Sequence, residues 1–244
     1  LEFLKSFESI ELRKTLQETR FVLFCNYCFF EEEREVILVR EFVDLTRTVE
    51  DNQPVYPGDD STRLRRSRVL EEDGFNNHRL EISMHSGTHI DGPMHLTQSD
   101  LYVDRIEIDR LIGNGVLLDV RGEMEIKMKS QYEDAVSQDS ILLFWTGRDS
   151  LFGNEEYFLE NPYLTYELAE FLVKRKTRMV GFDSSSPDRF PYDIHRILFS
   201  GGCFIAENLT GLEKLSGSKE LEIFAIPLKI HADSSVARIF AAVT

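Results

Sequence analysis

A strand-dominated mixed α/β fold is what this sequence predicts, and three observations predict it. Short β-branched or apolar runs recur along most of the chain, several of them bounded by Gly, Pro or Asp. One segment between them carries the stripe and end signals of an amphipathic helix. Strands outnumber helices, which argues against a regular doubly wound sheet.

The strand candidates, in order, are Val116 to Val120, Ile141 to Trp145, Met179 to Phe182, Cys203 to Ala206, Phe224 to Ile230 and Val236 to Val243. The helix candidate begins at Thr165, a good N-cap, with Glu167 at the positive end of the helix dipole. Leu168, Leu172 and Val173 form its apolar stripe, and Lys174, Arg175 and Lys176 place positive charge at its C-terminal end. A weaker helix is predicted from Ser130 to Val136.

Composition shifts near residue 40, which divides the chain into an N-terminal extension, residues 1–40, and a mixed α/β domain, residues 41–244. The extension reads as a charged helical segment over residues 6–20, then the aromatic run Phe21-Val22-Leu23-Phe24, then the acidic cluster Glu31-Glu32-Glu33. Phe21, Val22, Leu23, Phe24, Phe29 and Phe30 are too many apolar groups to leave in water. They are expected to pack against the chain's own domain or a neighbouring subunit, in a homodimer or higher homo-oligomer.

The formal charge of −15 repels phosphate backbones, so nucleic acid is not an expected partner. A small-molecule substrate is compatible, because a bound cation can reverse the field inside a cleft. No apolar stretch reaches the roughly 20 residues needed to span a bilayer, so no membrane partner is expected. Cys25, Cys28 and Cys203 do not make a disulfide framework, and the first residues lack a positive n-region. Both features lead to the expectation of a cytoplasmic protein. Cys25 and Cys28 form a C-x-x-C pair, but no further Cys or His lies nearby to complete a zinc site.

The chemistry concentrates between residues 83 and 95, Ser-Met-His-Ser-Gly-Thr-His-Ile-Asp-Gly-Pro-Met-His. The spacing of His85 and His89 suits a helix face, but Gly87, Thr88, Ile90, Gly92 and Pro93 argue for extended chain. In an extended segment His85, Gly87, His89 and Asp91 share one face, with Gly87 leaving room for an ion. Two imidazoles and a carboxylate suit Zn²⁺ or Mn²⁺ and leave a coordination position open. Pro93 then turns the chain, so that His95 reaches back over the site.

The pattern His85-x-Gly87-Thr88-His89-x-Asp91-x-Pro93-x-His95 resembles the signature of the cyclase family of metal-dependent hydrolases, which includes kynurenine formamidases and isatin hydrolases. The resemblance extends over roughly residues 42 to 243. It takes in Asp44-Leu45-Thr46, Pro54 to Asp59, Thr146-Gly147, Gly181-Phe182-Asp183, Pro187-Asp188, His195-Arg196, Glu207-Asn208-Leu209 and Pro227-Leu228-Lys229. It implies a layered β/β/α fold and one or two Zn²⁺ ions, or a single Mn²⁺. His85, His89 and Asp91 would hold the first metal, and Asp91 would bridge to a second held by His195 and Glu207. The family's catalytic histidine maps onto His95.

A metal-activated water opening a small amide, formamide or lactam is the activity so implied, with His95 moving the proton. Lactone hydrolysis or cyclisation on the same site is the alternative chemistry, and a non-catalytic metal or small-molecule binding protein the alternative class. Retention of His95, His195 and Glu207 together speaks against the last. Tyr56, Phe75, Trp145 and Phe190 are the aromatic candidates for a substrate pocket, with Tyr56 first among them.

Overall fold

The computed structural model describes residues 18–25, 28–35 and 40–244. The chain divides into two units, residues 1–39 and 40–244. In the first, Glu18–Cys25 and Cys28–Glu35 form an antiparallel hairpin. The aromatic run is therefore strand, and the helical segment expected over residues 6–20 lies outside the described residues except for its last three, which are strand. The packing expected of the extension and the roles weighed for Cys25 and Cys28 also lie outside what is described.

The second unit is built on eight strands: β1 (Glu41–Asp44), β2 (His89–Asp91), β3 (Ile112–Asp119), β4 (Ile141–Trp145), β5 (Met179–Phe182), β6 (Phe204–Glu207), β7 (Leu221–Pro227) and β8 (Ser234–Val243). Their order is β7-β3-β4-β5-β6-β2-β8-β1, and β7 also pairs with β8, which closes the sheet. Strands β3 to β6 run parallel to their neighbours in that series; the remaining pairs are antiparallel. The long strand β8 makes the closure. Its first residues, Ser234–Val236, lie against β2, and the stretch from Ala237 onward lies against β7.

The period-2 pleat sorts the apolar residues into two cores. Ile141 and Leu143 point into the interior of the closed sheet with Val43, Ile90, Met179, Ile223 and Ile239. Leu142 and Phe144 point outward, with Val180, Phe182 and Ile205, onto two helices. These are α1 (Tyr166–Lys174) and α2 (Asp193–Ser200). Strands covered on both faces must be apolar throughout, so β4 and β5 read as unbroken runs in the sequence. The result is the strand-rich β/β/α layering expected. Each large side chain buried in these cores contributes about 1.5–3 kcal/mol before ordering entropy is subtracted.

Local expectations hold where they rest on local chemistry. Thr165 caps α1, its hydroxyl accepting from the Leu168 backbone N–H at 3.4 Å. The weaker helix is one short turn, Gln131–Ala135, anchored by the buried Tyr132. Strand ends move for identifiable reasons. β7 stops at Pro227 instead of running to Ile230, because proline has no N–H to give the ladder. β3 starts at Ile112, ahead of the expected Val116, through two glycines that carry no strand signal. One of them, Gly115, is required by close packing: a Cβ there would fall 2.6 Å from Ile223 Cγ1.

Candidate metal centre and its cavity

β2 is only three residues long, yet it places the centre. It lies between β6 and β8, so Glu207 stands directly across from His89, and Asp91 lies opposite Ile205 and Ser234. Ile90, between the two polar residues, faces the interior core and is fully buried. The parity expected for an extended segment holds here for His89 and Asp91. It fails for His85: residues 84–87 form a turn in place of a strand. Gly87 adopts φ +64, a left-handed conformation that suits glycine. Its role is this turn, and space for an ion is not what it provides, since the Gln53 side chain lies beside it. After Gly92 the chain enters a 3-10 turn, Pro93–His95, which brings His95 back over the site as expected; its ring centroid lies 4.1 Å from that of His85.

Each imidazole is aimed by a partner on its far side. His89 Nδ1 donates to the Gly87 carbonyl at 2.8 Å, which leaves Nε2 a lone pair directed inward. His195, on α2, is oriented by Asp188, whose Oδ1 lies 2.6 Å from His195 Nδ1. Asp188 is held in turn by the backbone N–H groups of Ile194 and His195, at 2.8 and 3.2 Å. His195 Nε2 then faces Glu207 Oε1 at 3.4 Å and Asp91 Oδ2 at 4.0 Å. His85 Nε2 meets Asp233 Oδ2 at 3.0 Å and the Ser234 hydroxyl at 2.8 Å, and its Nδ1 lies 2.9 Å from Asp91 Oδ1. Asn208 locks the assembly by donating to the Gly87 carbonyl at 3.0 Å and accepting from the Tyr157 hydroxyl at 2.8 Å.

The donor atoms converge without satisfying one another. His89 Nε2 and Asp91 Oδ1 are buried, and neither makes a hydrogen bond of acceptable geometry. With Nε2–H given to Asp233, His85 turns a second lone pair on Asp91 Oδ1, an arrangement that calls for a cation between them. Two sets of donors lie close enough to share an ion: His85, Asp91 and His95, and His89, Asp91 and Glu207. Asp91 belongs to both. The residues present fit a divalent metal.

Charge in the pocket tells the same story. Burial disfavours the charged form of His89, but Asp91 and Glu207 outweigh it and raise its pKa well above the usual range. Burial likewise works against a charged His195, which Asp188 and Glu207 raise to about 10. Burial also opposes ionisation of Asp91, yet His89 and His85 overcome that cost and hold its carboxyl well below the usual range. The concentrated negative charge that favours protons on these imidazoles equally favours a dication, which would displace those protons on binding. His95 differs: burial dominates there and lowers its pKa.

Above the centre opens a cavity of about 420 Å³. Tyr56 lines it, packed edge-on against Phe158 with centroids 6.2 Å apart, and Phe190 stands at its rim. Two other expected aromatics are elsewhere. Trp145 is covered by the Arg121 guanidinium, 3.7 Å above its ring, and Phe75 is exposed at the end of a separate hairpin. Phe152, Phe158 and Tyr192 line the wall in their place. Phe158 lies in the short helix Glu155–Leu159, and Phe152 and Tyr192 lie in irregular segments; none of the three gave a positional signal in the sequence. Asp188 and Asp233, the carboxylates that orient the histidines, also carried none beyond a family match at Asp188.

A cluster of histidines and carboxylates on a closed sheet, opening into an aromatic cavity, could hold a metal ion, and its donors are of the kind found in metal-dependent hydrolases. The chain belongs to the cyclase family: the family model, described as a putative cyclase, matches residues 43–189. It is 30% identical over 206 residues to a kynurenine formamidase of Bacillus cytotoxicus, covering 81% of this chain and 95% of that protein. A kynurenine formamidase of Bacillus cereus is 31% identical with the same coverage. Among solved structures, isatin hydrolase A from Labrenzia aggregata, bound to benzyl benzoate, superposes with a TM-score of 0.74 at 23% identity, over 84% of this chain and 94% of that one. That likeness is one of fold.

Proposed function

We propose that this chain is a metal-dependent hydrolase of carbon–nitrogen bonds other than peptide bonds, acting on a small amide, formamide or lactam in the manner of a kynurenine formamidase. The curated relatives support the reaction class. The observation that carries the site is the pair of buried, unsatisfied donor atoms, His89 Nε2 and Asp91 Oδ1, facing Glu207 across two strands.

In this reading, which follows the family resemblance, His85, His89 and Asp91 would hold one ion, and His195 and Glu207 together with Asp91 would hold a second. His95, whose donor atom lies within reach of those of His85 and Asp91, is assigned to the proton and not to the metal. The donor set, imidazole nitrogen and carboxylate oxygen, suits Zn²⁺ or Mn²⁺. Such an ion, when bound, supplies Lewis acidity toward a carbonyl and makes water a usable nucleophile near neutral pH. His95 handles the proton. Its depressed pKa keeps the imidazole neutral at working pH, ready to accept a proton from water and pass it to the leaving nitrogen. Asp233 Oδ2, 3.4 Å from His95 Nδ1, steadies the ring. Tyr56, Phe158 and Tyr192 provide faces on which an aryl group can stack.

No helix among the described residues is long and apolar enough to cross a membrane. The absence of a disulfide framework supports a cytoplasmic setting. The apolar content of residues 1–40 supports a homodimer or higher homo-oligomer. Metal analysis of the purified protein, combined with a screen of formanilides, lactams and lactones, tests the assignment. Turnover of a formanilide or lactam by metal-loaded protein supports it. Turnover of lactones alone would move it to ester chemistry, and no turnover with metal bound would leave a binding protein.

A further inference from the structure

The short helix Glu155–Leu159 serves two neighbourhoods at once. Its Phe158 and Leu159 line the cavity, whereas its Tyr157 is fully buried. The Tyr157 ring packs edge-on against Phe152 and Phe158, with centroids 5.3 and 5.0 Å away. A phenylalanine would make those contacts equally well, so the buried hydroxyl needs a partner to justify it. Burial pushes the pKa of the phenol upward, which keeps it a neutral hydroxyl. It donates to Asn208 Oδ1 at 2.8 Å; the Asp183 carbonyl, at 3.5 Å, is the poorer acceptor.

Asn208 is the link from this helix to the metal turn. It is buried, its φ of 58 lies in the left-handed region, and its backbone is held on both sides. Its N–H donates to the Ser184 carbonyl at 3.0 Å, and its carbonyl accepts from the Thr88 hydroxyl at 2.7 Å. The freedom left to its side chain is which end of the amide faces Gly87. With Nδ2 there, the Gly87 carbonyl receives a hydrogen bond at 3.0 Å. With Oδ1 there, two acceptors would collide, and the Tyr157 proton would have to turn to the distant Asp183 carbonyl. The Gly87 carbonyl also accepts from His89 Nδ1 at 2.8 Å, so its direction sets the plane of that imidazole.

We infer that Tyr157 is a positioning residue for the metal centre. Through the Asn208 amide it holds the Gly87 carbonyl, and with it His89, in the orientation that presents Nε2 to an ion. The inference rests on the metal centre proposed above and on no particular substrate.

The test measures Zn²⁺ affinity of the full chain, stripped of metal, by competition with a chromophoric chelator. The melting temperature of the same metal-free samples is recorded beside it. Tyr157→Phe keeps the ring and removes only the hydroxyl. Expected is a Zn²⁺ affinity lower by about tenfold, the small end of the range for a group that supports a ligand indirectly. Asn208→Gly, with a residue at home in the left-handed region, should lose at least as much. Adding Tyr157→Phe to Asn208→Gly should cost no further affinity, because the hydroxyl then has no amide to orient. A Tyr157→Phe protein that melts lower yet binds Zn²⁺ as tightly as the parent would show a merely structural hydroxyl and overturn the inference. So would undiminished affinity in Asn208→Gly, or a second tenfold loss in the double variant. A parent that takes up no Zn²⁺ overturns the metal centre and this inference together. None of these readouts uses turnover, so they stand apart from the hydrolase assignment.

Discussion

The two halves of the candidate centre are built in opposite ways. The first half, His85 to His95, is supplied by eleven consecutive residues: a turn at Gly87, a three-residue strand and a 3-10 turn. The second half, His195 and Glu207, comes from a helix and a strand a hundred residues or more later, and His195 depends on Asp188 for aim. Local backbone geometry can deliver several ligands at once. A ligand brought from afar needs its own support, because nothing in its neighbouring sequence constrains where its donor atom ends up.

Removing the metal challenges both halves together and should have the largest effect. Exhaustive chelation is expected to abolish hydrolysis and to lower the melting temperature, since ligand binding confined to the folded state adds to its stability. Unchanged turnover and melting after chelation would sink the metal centre altogether. Within the first half, His95→Ala should retain metal and lose about two to four orders of magnitude in rate. His89→Ala should lose metal. If instead His95→Ala loses metal yet recovers high activity when the ion is resupplied, ligand and proton carrier have been exchanged.

The second half is sharpened by Asp188→Asn, which keeps the shape but removes the charge that orients His195. A loss of about 10–100-fold in metal affinity or activity is the scale for such a supporting group, measured by metal titration alongside kcat/KM. No change would mean that His195 is positioned without it. A subtler effect concerns pH. Burial lowers the pKa of His95, so its neutral form persists to lower pH than usual, and a bound dication pushes the same way. The acidic limb of kcat/KM should therefore have its midpoint below the ordinary histidine value of about 6.5. A midpoint above that value would remove His95 from the base role. The smallest effect belongs to Thr165→Ala, far from either half. It should cost about 1 kcal/mol of stability through the lost cap and leave kcat unchanged.

What could be read without coordinates was local. The runs at Ile141–Trp145 and Met179–Phe182 are strands over the predicted limits, because strands covered on both faces must be apolar at every position. Thr165 marks the start of α1 because a hydroxyl there has a backbone N–H to satisfy. The six residues gathered at the centre were nameable too, but His195 and Glu207 only through family resemblance, since their spacing carries no periodicity that points at a site. Tertiary structure alone decided the rest. The turn at Gly87 replaced the extended segment, since a backbone carbonyl was needed where both His89 and Asn208 could donate to it. Asp188, Asp233 and the wall of Phe152, Phe158 and Tyr192 took their roles from long-range closure of the sheet. A carboxylate or a phenyl ring reads the same in sequence whether it faces solvent, core or site. Only the packing of distant segments settles which, because burial and aim are properties of the space around a side chain and not of its neighbours along the chain.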